Sequence, residues 1–476
     1  MFDGVDGAGL LVEMAGARRA ERVAVARRLL AAGRLCQLRM ADGTGGAGGA
    51  GGADLDRLQW CVDNWEAVAA EVGAELGISR GRASSEMNYG LELLERLPRL
   101  AAVFAAGEVD FRVVAVAVFR TGLITDADLL AGVDAVLAAG APRWNALSRS
   151  RIAELVDWRV READPAAVRV ARGAEADRRV DFGPTRDGMT EFWGALGAPD
   201  AAVVDRRLDQ LAASVCRTDP RTTAQQRADA LVALSAGQTT LACACGAPDC
   251  PAGQDDTGPG QIVIHLLAEA ATVSGDSPAP GYLPGHGAIP AEAVCELATR
   301  SRLRPLARAG ELRTEAHYRP SAALAAFIRA RDLCCRFPGC DKPAEVCDID
   351  HTIPYRRGGP THPANMALLC RVHHLLKTFW VGDTGWQEKQ FSDGTIVWTS
   401  PSGREYTTTP GGALFFPQLG EPTEPISITI PAPDPTPGRG LHMPTRNHTR
   451  AAERRTRINW ERGINEKRWA ADPPPF

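Results

Sequence analysis

The chain has 476 residues, enough for two or three domains, each with its own core. Its 45% hydrophobic and 24% charged residues are those of an ordinary globular protein, and a formal net charge of −4 gives no global attraction for nucleic acid, so DNA binding has to come from local basic surface. No window reaches the ~18–20 consecutive apolar residues of a membrane span. The start lacks a basic segment followed by an apolar one, and 12 cysteines intermixed with histidines point to metal chemistry in a reducing compartment, so the expected location is cytoplasmic.

Residues 17–40 carry Val23, Ala26, Leu30 and Leu38 in an Arg/Glu background, which predicts a helix. The run GTGGAGGAGG at 43–52 holds no packed core and reads as a flexible Gly-rich segment. Leu58, Cys61, Trp65, Val68 and Val72 then recur at three- and four-residue spacing, an amphipathic stripe ending at Gly77. Ser79 is placed to cap a second helix through Met87, Leu91 and Leu94. Segment 68–94 therefore has the outline of a helix-turn-helix, a pattern that plain helical bundles share; the bundle is the preferred reading. Further helices are predicted at 99–106, 110–120, 126–138, 146–161 and 200–214.

Two strand signals interrupt the helices: the pair ADRRVDFGP and GMTEFWGAL, expected to form a hairpin, and Gln261 to Leu267. Between them Cys243, Cys245 and Cys250 in CACGAPDC, with turns at Gly246 and Pro248, supply most of a possible second zinc site. The fourth ligand is not evident from spacing; His265, His286 and Cys295 are candidates, and reduced thiols on a loop are the alternative. A helix is expected at 322–331, and a small β-meander over 386–406 turning at Asp393-Gly394. From 418 the chain is Pro-rich and then Arg-rich with few large apolar residues, which predicts disorder. Its stretch from Arg439 to Trp469 is net positive with interleaved tryptophans, suited to phosphates or bases or simply solvated.

The densest chemistry lies in CRFPGCDKPAEVCDIDHTIPYRRGGPTHPANMALLCRVHHLLK, residues 335–377. Cys335 and Cys340 form one short-range pair, and Cys370 with His373 a second, the pattern of a closed structural zinc site tying two elbows across a longer loop; Cys347 is an alternative ligand. Asp350, His351, Asn365 and His374 remain: a hard oxygen ligand, a base, an amide and an imidazole, the kit of a hydrolytic metal site. On a strand, Asp350 and His351 face opposite sides. On a helix, His373 and His374 sit about 100° apart, so one can serve zinc and the other a second ion. Arg356, Arg357, Arg371 and Lys377 are the nearby candidates for DNA phosphate contacts.

In order and spacing these residues resemble the HNH family of ββα-metal endonucleases over roughly residues 332–380. The phrases RFPGC and HHLLKTFW, with the run Trp398 to Arg404, resemble a narrower group: actinobacterial multi-copy proteins in which a long N-terminal domain of unknown function precedes an HNH module. The expected fold is α+β and multidomain. A mainly helical N-terminal domain with a small β element (1–300) would precede a zinc-stapled HNH module (318–385), a β-rich extension (386–417) and a Pro/Arg-rich disordered tail (418–476).

The resemblance implies a metal-dependent DNA endonuclease with a one-metal mechanism. His351 would be the general base, and Asp350 and His374 would hold Mg²⁺ or Mn²⁺. Asn365 would either join that ion's shell or brace the loop that fixes His351. Structural zinc has a mechanical reason, since so small a module buries little apolar surface and zinc adds on the order of 10 kcal/mol to the folding of such modules. DNA is the expected partner, with a protein partner or self-association through the N-terminal domain, and no membrane. The alternative is a non-cleaving DNA-binding or assembly protein using the HNH fold as a zinc-stabilised scaffold.

Overall fold

A computed structural model describes residues 2, 5–45, 57–169, 178–186, 188–196, 198–250, 252, 265–284, 287–424, 426 and 442–471. The chain divides into two units, Met1–Val170 with Pro305–Phe476, and Ala171–Arg304. No helix among the described residues is long and apolar enough to cross a membrane.

Toward its start the first unit includes, among the described residues, the helices α1 (Gly7–Gly45), α2 (Asn64–Leu76), α3 (Arg80–Glu95), α4 (Pro98–Ala105), α5 (Phe111–Thr121), α6 (Ala127–Gly140) and α7 (Arg149–Ala163). Asp63, Asp110, Asp126 and Ser148 start α2, α5, α6 and α7 by accepting orphan first-turn amides. Ser79 stands at the expected N-cap of α3, but its side chain makes no capping bond. Asp134 of α6 caps α4 from outside, accepting the amides of Arg99 at 2.8 Å and Leu100 at 3.0 Å. Leu93, Leu97, Leu100, Phe104, Val113 and Ile152 fill the core among these helices, each worth about 1.5–3 kcal/mol of burial.

The stripe Ala26, Leu29, Ala32 and Cys36 of α1 is buried, and α1 crosses α3 where Gly33 meets Gly90. A Cβ on Gly90 would overlap the carbonyl oxygen of Leu29, so the two backbones are in contact. The helix-turn-helix outline of 68–94 is thus part of a bundle: on α3, Ala83, Met87, Gly90 and Leu93 are buried, and Glu86 meets Arg28 of α1.

The second unit begins with the expected hairpin, β1 (Arg179–Arg186) paired antiparallel with β2 (Met189–Ala195). Helices α8 (Ala198–Ala212) and α9 (Thr223–Ser235) pack around a small core of Leu211, Ala230, Ala233 and Leu241. A short hairpin of β3 (Gly281–Leu283) and β4 (Gly287–Ile289) precedes α10 (Ala291–Arg300). Residues 261–264 of the expected Gln261–Leu267 strand lie outside the described residues; of the remainder, Leu267 bridges Tyr282.

The first unit resumes with α11 (Ala322–Asp332), then an antiparallel pair, β5 (Cys347–His351) and β6 (Met366–Cys370), then α12 (Arg371–Phe379). A three-stranded meander follows, β7 (Gln387–Gln390), β8 (Ile396–Thr399) and β9 (Glu405–Thr408), turning at Gly394 with φ 81°. A buried ion cluster binds these pieces. Asp332 pairs with Arg331 and Arg336 and accepts the Leu368 amide of β6 at 2.9 Å, while Arg331 donates to the Pro363 and Met366 carbonyls. Although burial opposes its charge, the two guanidiniums hold the Asp332 carboxyl below the usual range. The segment also leans on the helices: Trp380 donates to the Val62 carbonyl at 3.0 Å and Tyr406 to Glu75 at 2.9 Å.

Part of the tail expected to be disordered is structured. Helix α13 (Arg450–Ala471) lies against the N-terminal helices. Arg450 binds Asp63 and Glu66, Arg454 binds Glu92, and Arg462 binds Asp164 at 2.6 Å. Ahead of it, the Arg446 amide donates to Gln59 at 2.6 Å and its guanidinium reaches Asp63. Low apolar content misleads here because the helix is held by charge: these arginines meet carboxylates that are buried in the bundle, partners more than 280 positions away in sequence.

Candidate metal centre and active site

Four candidate zinc ligands converge. Cys335 and Cys340 flank a turn closed by the Cys340 amide on the Phe337 carbonyl at 3.1 Å, with Gly339 at φ 74°. Cys370 ends β6 and His373 follows within the first turn of α12. Their ligand atoms lie within 4.8 Å of one another, and Nδ1 of His373 is 3.4 Å from the Cys335 sulfur and 3.3 Å from that of Cys370. Phe337 stacks on the His373 ring at 4.0 Å, fixing its angle. Burial and the neighbouring sulfurs push the Cys335 thiol well up, whereas hydrogen bonds from Cys335 and Cys340 hold Cys370 far down. Without a cation, several thiols here must share few ionised forms. The donor set fits a soft metal such as zinc, which relieves that competition. Cys347, paired across the strands with Cys370, neighbours this set without belonging to it, and its sulfur lies 3.4 Å from the Lys342 carbonyl oxygen.

A second arrangement occupies β5 and α12. Alternation along β5 puts Asp348 and Asp350 on the face toward α12, and His351 on the other. On α12, residues 371, 374 and 377 share the facing side. Nε2 of His374 lies 3.5 Å from Oδ1 of Asp350, and its Nδ1 donates to Asp348 at 2.9 Å. A carboxylate only accepts, so Asp348 keeps the proton on Nδ1 and leaves Nε2 as the free donor atom beside Asp350. Asp350 and His374 thus fit one divalent ion.

His351 is buried, 3% exposed. Its Nε2 lies 2.9 Å from the Thr361 hydroxyl, which itself donates to the His317 carbonyl at 2.5 Å. That hydroxyl has one proton, so it accepts from Nε2–H and Nδ1 carries the lone pair. Tyr318 stacks over the imidazole at 5.3 Å. Burial lowers the His351 pKa, and Lys377 adds to this while Asp350 opposes it.

Asn365 commits its side-chain amide to the loop after His351. Its Oδ1 accepts from the Ile353 amide at 2.8 Å, and its Nδ2 donates to the Ile353 and Pro360 carbonyls. Of its two expected roles, this geometry suits the brace. Arg356 and Arg371 are exposed, and Arg357 is partly buried. Lys377 points inward instead, bonded to Asp350 at 2.6 Å, to the His351 carbonyl at 2.7 Å and to Glu388 of β7. Burial pushes the Glu388 carboxyl up to about 7, against the pull of Lys377.

Asp348, Thr361, Tyr318 and Glu388 were not evident as site residues. Asp348 had a signal, since it lies two positions before Asp350 on a strand. The others come from loops or the meander, whose approach no local pattern encodes.

Two family models match: Domain of unknown function (DUF222) over residues 16–332, and HNH endonuclease over residues 334–379. The chain belongs to the DUF222 family. The HNH match behind it points to a nuclease or nucleic-acid-related role. This DUF222 chain is 43% identical to the uncharacterized protein Rv2100 of Mycobacterium tuberculosis, over 99% of this chain and 90% of that one. It is 44% identical to the uncharacterized protein Rv3776 of the same organism, over 99% and 92%. A third M. tuberculosis relative, an uncharacterized protein in est 3'region, is 41% identical over 68% of this chain and 96% of its own length. No solved structure matches.

Proposed function

We propose that the protein is a metal-dependent DNA endonuclease that hydrolyses phosphodiester bonds with His351 as general base. One observation carries this: at the end of β5 a metal-fitting pair, Asp350 with His374, and a tautomer-fixed imidazole, His351, sit back to back on adjacent residues. Burial keeps His351 neutral near pH 7, so Nδ1 can take a proton from water as the water oxygen bonds to phosphorus. Asn365 holds the loop through Ile353 and so the strand end that aims the ring. Mg²⁺ or Mn²⁺ at Asp350 and His374 supplies charge stabilisation at the phosphate and the departing 3′ oxygen. Zinc at Cys335, Cys340, Cys370 and His373 holds the start of α12, and Arg356, Arg357 and Arg371 contact DNA phosphates. A cytoplasmic location goes with this reading, since both the substrate and reduced thiols are found there.

One observation favours a second reading, a non-cleaving DNA-binding or assembly protein on the same scaffold: Tyr318 covers the imidazole. Nicking of supercoiled plasmid by the full chain with Mg²⁺ or Mn²⁺, measured beside His351→Ala, separates the two. Nicking that disappears in the variant supports the endonuclease. DNA binding without nicking by the unaltered chain supports the scaffold, and nicking unchanged by the substitution defeats the assignment.

A further inference from the structure

The second unit holds another sulfur cluster. Cys216, Cys243, Cys245 and Cys250 place their sulfurs within 4.8 Å of one another, with Cys216 and Cys243 at 3.4 Å. This is no disulfide, whose sulfurs are about 2.05 Å apart. Four thiolates around one zinc at about 2.3 Å would stand about 3.8 Å from each other, the scale seen here. We propose that these four cysteines form a second structural zinc site, all of its ligands thiolates, with Cys216 as the one that spacing alone does not reveal. The proposal is independent of the nuclease reading.

The local fold builds this site from two loops. Cys216 lies in the connection between α8 and α9, and the other three lie in the loop after α9. Asp219 and Arg221 lock the loops together. Asp219 accepts the Ala244 amide at 2.8 Å and pairs with Arg221, which donates to the Ala242 carbonyl at 2.7 Å. Gly246 at φ 73° reverses the chain just after Cys245, and the Cys243 amide donates to the Ala252 carbonyl at 3.1 Å, closing the loop around the sulfurs.

The other candidate ligands do not compete. Cys295 is bonded to the Thr272 carbonyl at 3.1 Å, His265 is not in the cluster, and His286 lies outside the described residues. Among the described residues, the α8–α9 pair has a core of four buried residues, three of them from the helices themselves, a small anchor for two loops without a cross-link. Zinc at this point ties both ends of α9 to each other.

The test is metal content of the full-length protein by elemental analysis. The expected result is two zinc ions per chain, falling to one in Cys216→Ser and separately to one in Cys340→Ser. Cys216→His, which restores a ligand, should return to two. Should Cys216→Ser fail to fold, the unaltered chain still decides. In that chain, Cys243, Cys245 and Cys250 should resist iodoacetamide until a chelator is added, then react as in denatured protein. One zinc per unaltered chain, retained in Cys216→Ser, overturns the proposal. So does iron in place of zinc, or alkylation of these three thiols in the native chain as fast as in the denatured one.

Discussion

The ammonium of Lys377 lies 2.6 Å from Oδ2 of Asp350, while the other oxygen of that carboxylate faces Nε2 of His374. One oxygen is thereby neutralised and aligned, and the other is left for a cation. With Glu388 on its far side, Lys377 is the positive centre between two partly buried carboxylates. Lys377→Met should cost roughly 3–5 kcal/mol, the usual penalty for removing one member of a buried ion set. The salt dependence of DNA binding should not change, whereas Arg371→Ala and Arg356→Ala should each reduce its slope by about 0.9. Urea titration and binding curves across a salt series read the two effects. A fully stable Lys377→Met protein would show that the ion pair contributes nothing.

Metal content should separate the two halves of the HNH site. Cys340→Ser or Cys370→Ser should release the zinc held by the three cysteines and His373, and lower the melting temperature, because that ion is part of the fold. Asp350→Asn or His374→Ala should keep it and abolish nicking. Equal zinc loss from both classes, measured by elemental analysis beside calorimetry, would mean the ligands are wrongly divided.

Gly90→Ala should separate α1 from α3. The added methyl overlaps the Leu29 carbonyl oxygen, and neither backbone can yield locally, so a loss of about 3 kcal/mol is expected. Gly81→Ala on the same helix meets nothing within 4 Å and should be neutral or stabilising by up to about 1 kcal/mol. Denaturant midpoints of the two variants make the comparison, and equal midpoints would contradict the close crossing.

His362 gives stability a pH dependence. Its buried Nδ1 accepts the Ala364 amide at 3.1 Å, a role only the neutral ring can fill. Burial lowers its pKa, Arg313 adds to this and Glu424 opposes it. Below the ordinary value of about 6.5 the unfolded chain therefore takes up the proton more readily than the folded one, and stability falls as pH drops. His362→Asn keeps an acceptor that does not titrate. Its stability should change less between about pH 7.5 and about pH 5.5. Parallel pH profiles for both proteins would remove His362 as a cause.

What the sequence reveals and what it hides have a common physical origin. Cys335 with Cys340, and Cys370 with His373, are legible because each pair is closed by a local turn. The helices around Leu93 and Val113 are legible because their stripes repeat at helical spacing. Helix α9 had a readable start in Thr222 and Gln225, whose side chains and amides cap reciprocally, but its weak apolar stripe gave no second signal. Cys216 and the arginines of α13 act through partners far away in sequence, so composition alone makes the first a stray thiol and the second a solvated tail.

The clasp of α13 also bears on when this protein can become itself. Asp63, Glu66, Glu92 and Asp164 take arginine partners from residues 446–462, which are synthesised after all four of them. Until then the earlier helices carry buried carboxylates with part of their counter-charge missing, a state that favours opening. Helix α13 thus acts as a seal on helices made before it. A polypeptide released short of it keeps every residue of the metal-binding centres, yet its opening helices stay loose and open to proteolysis.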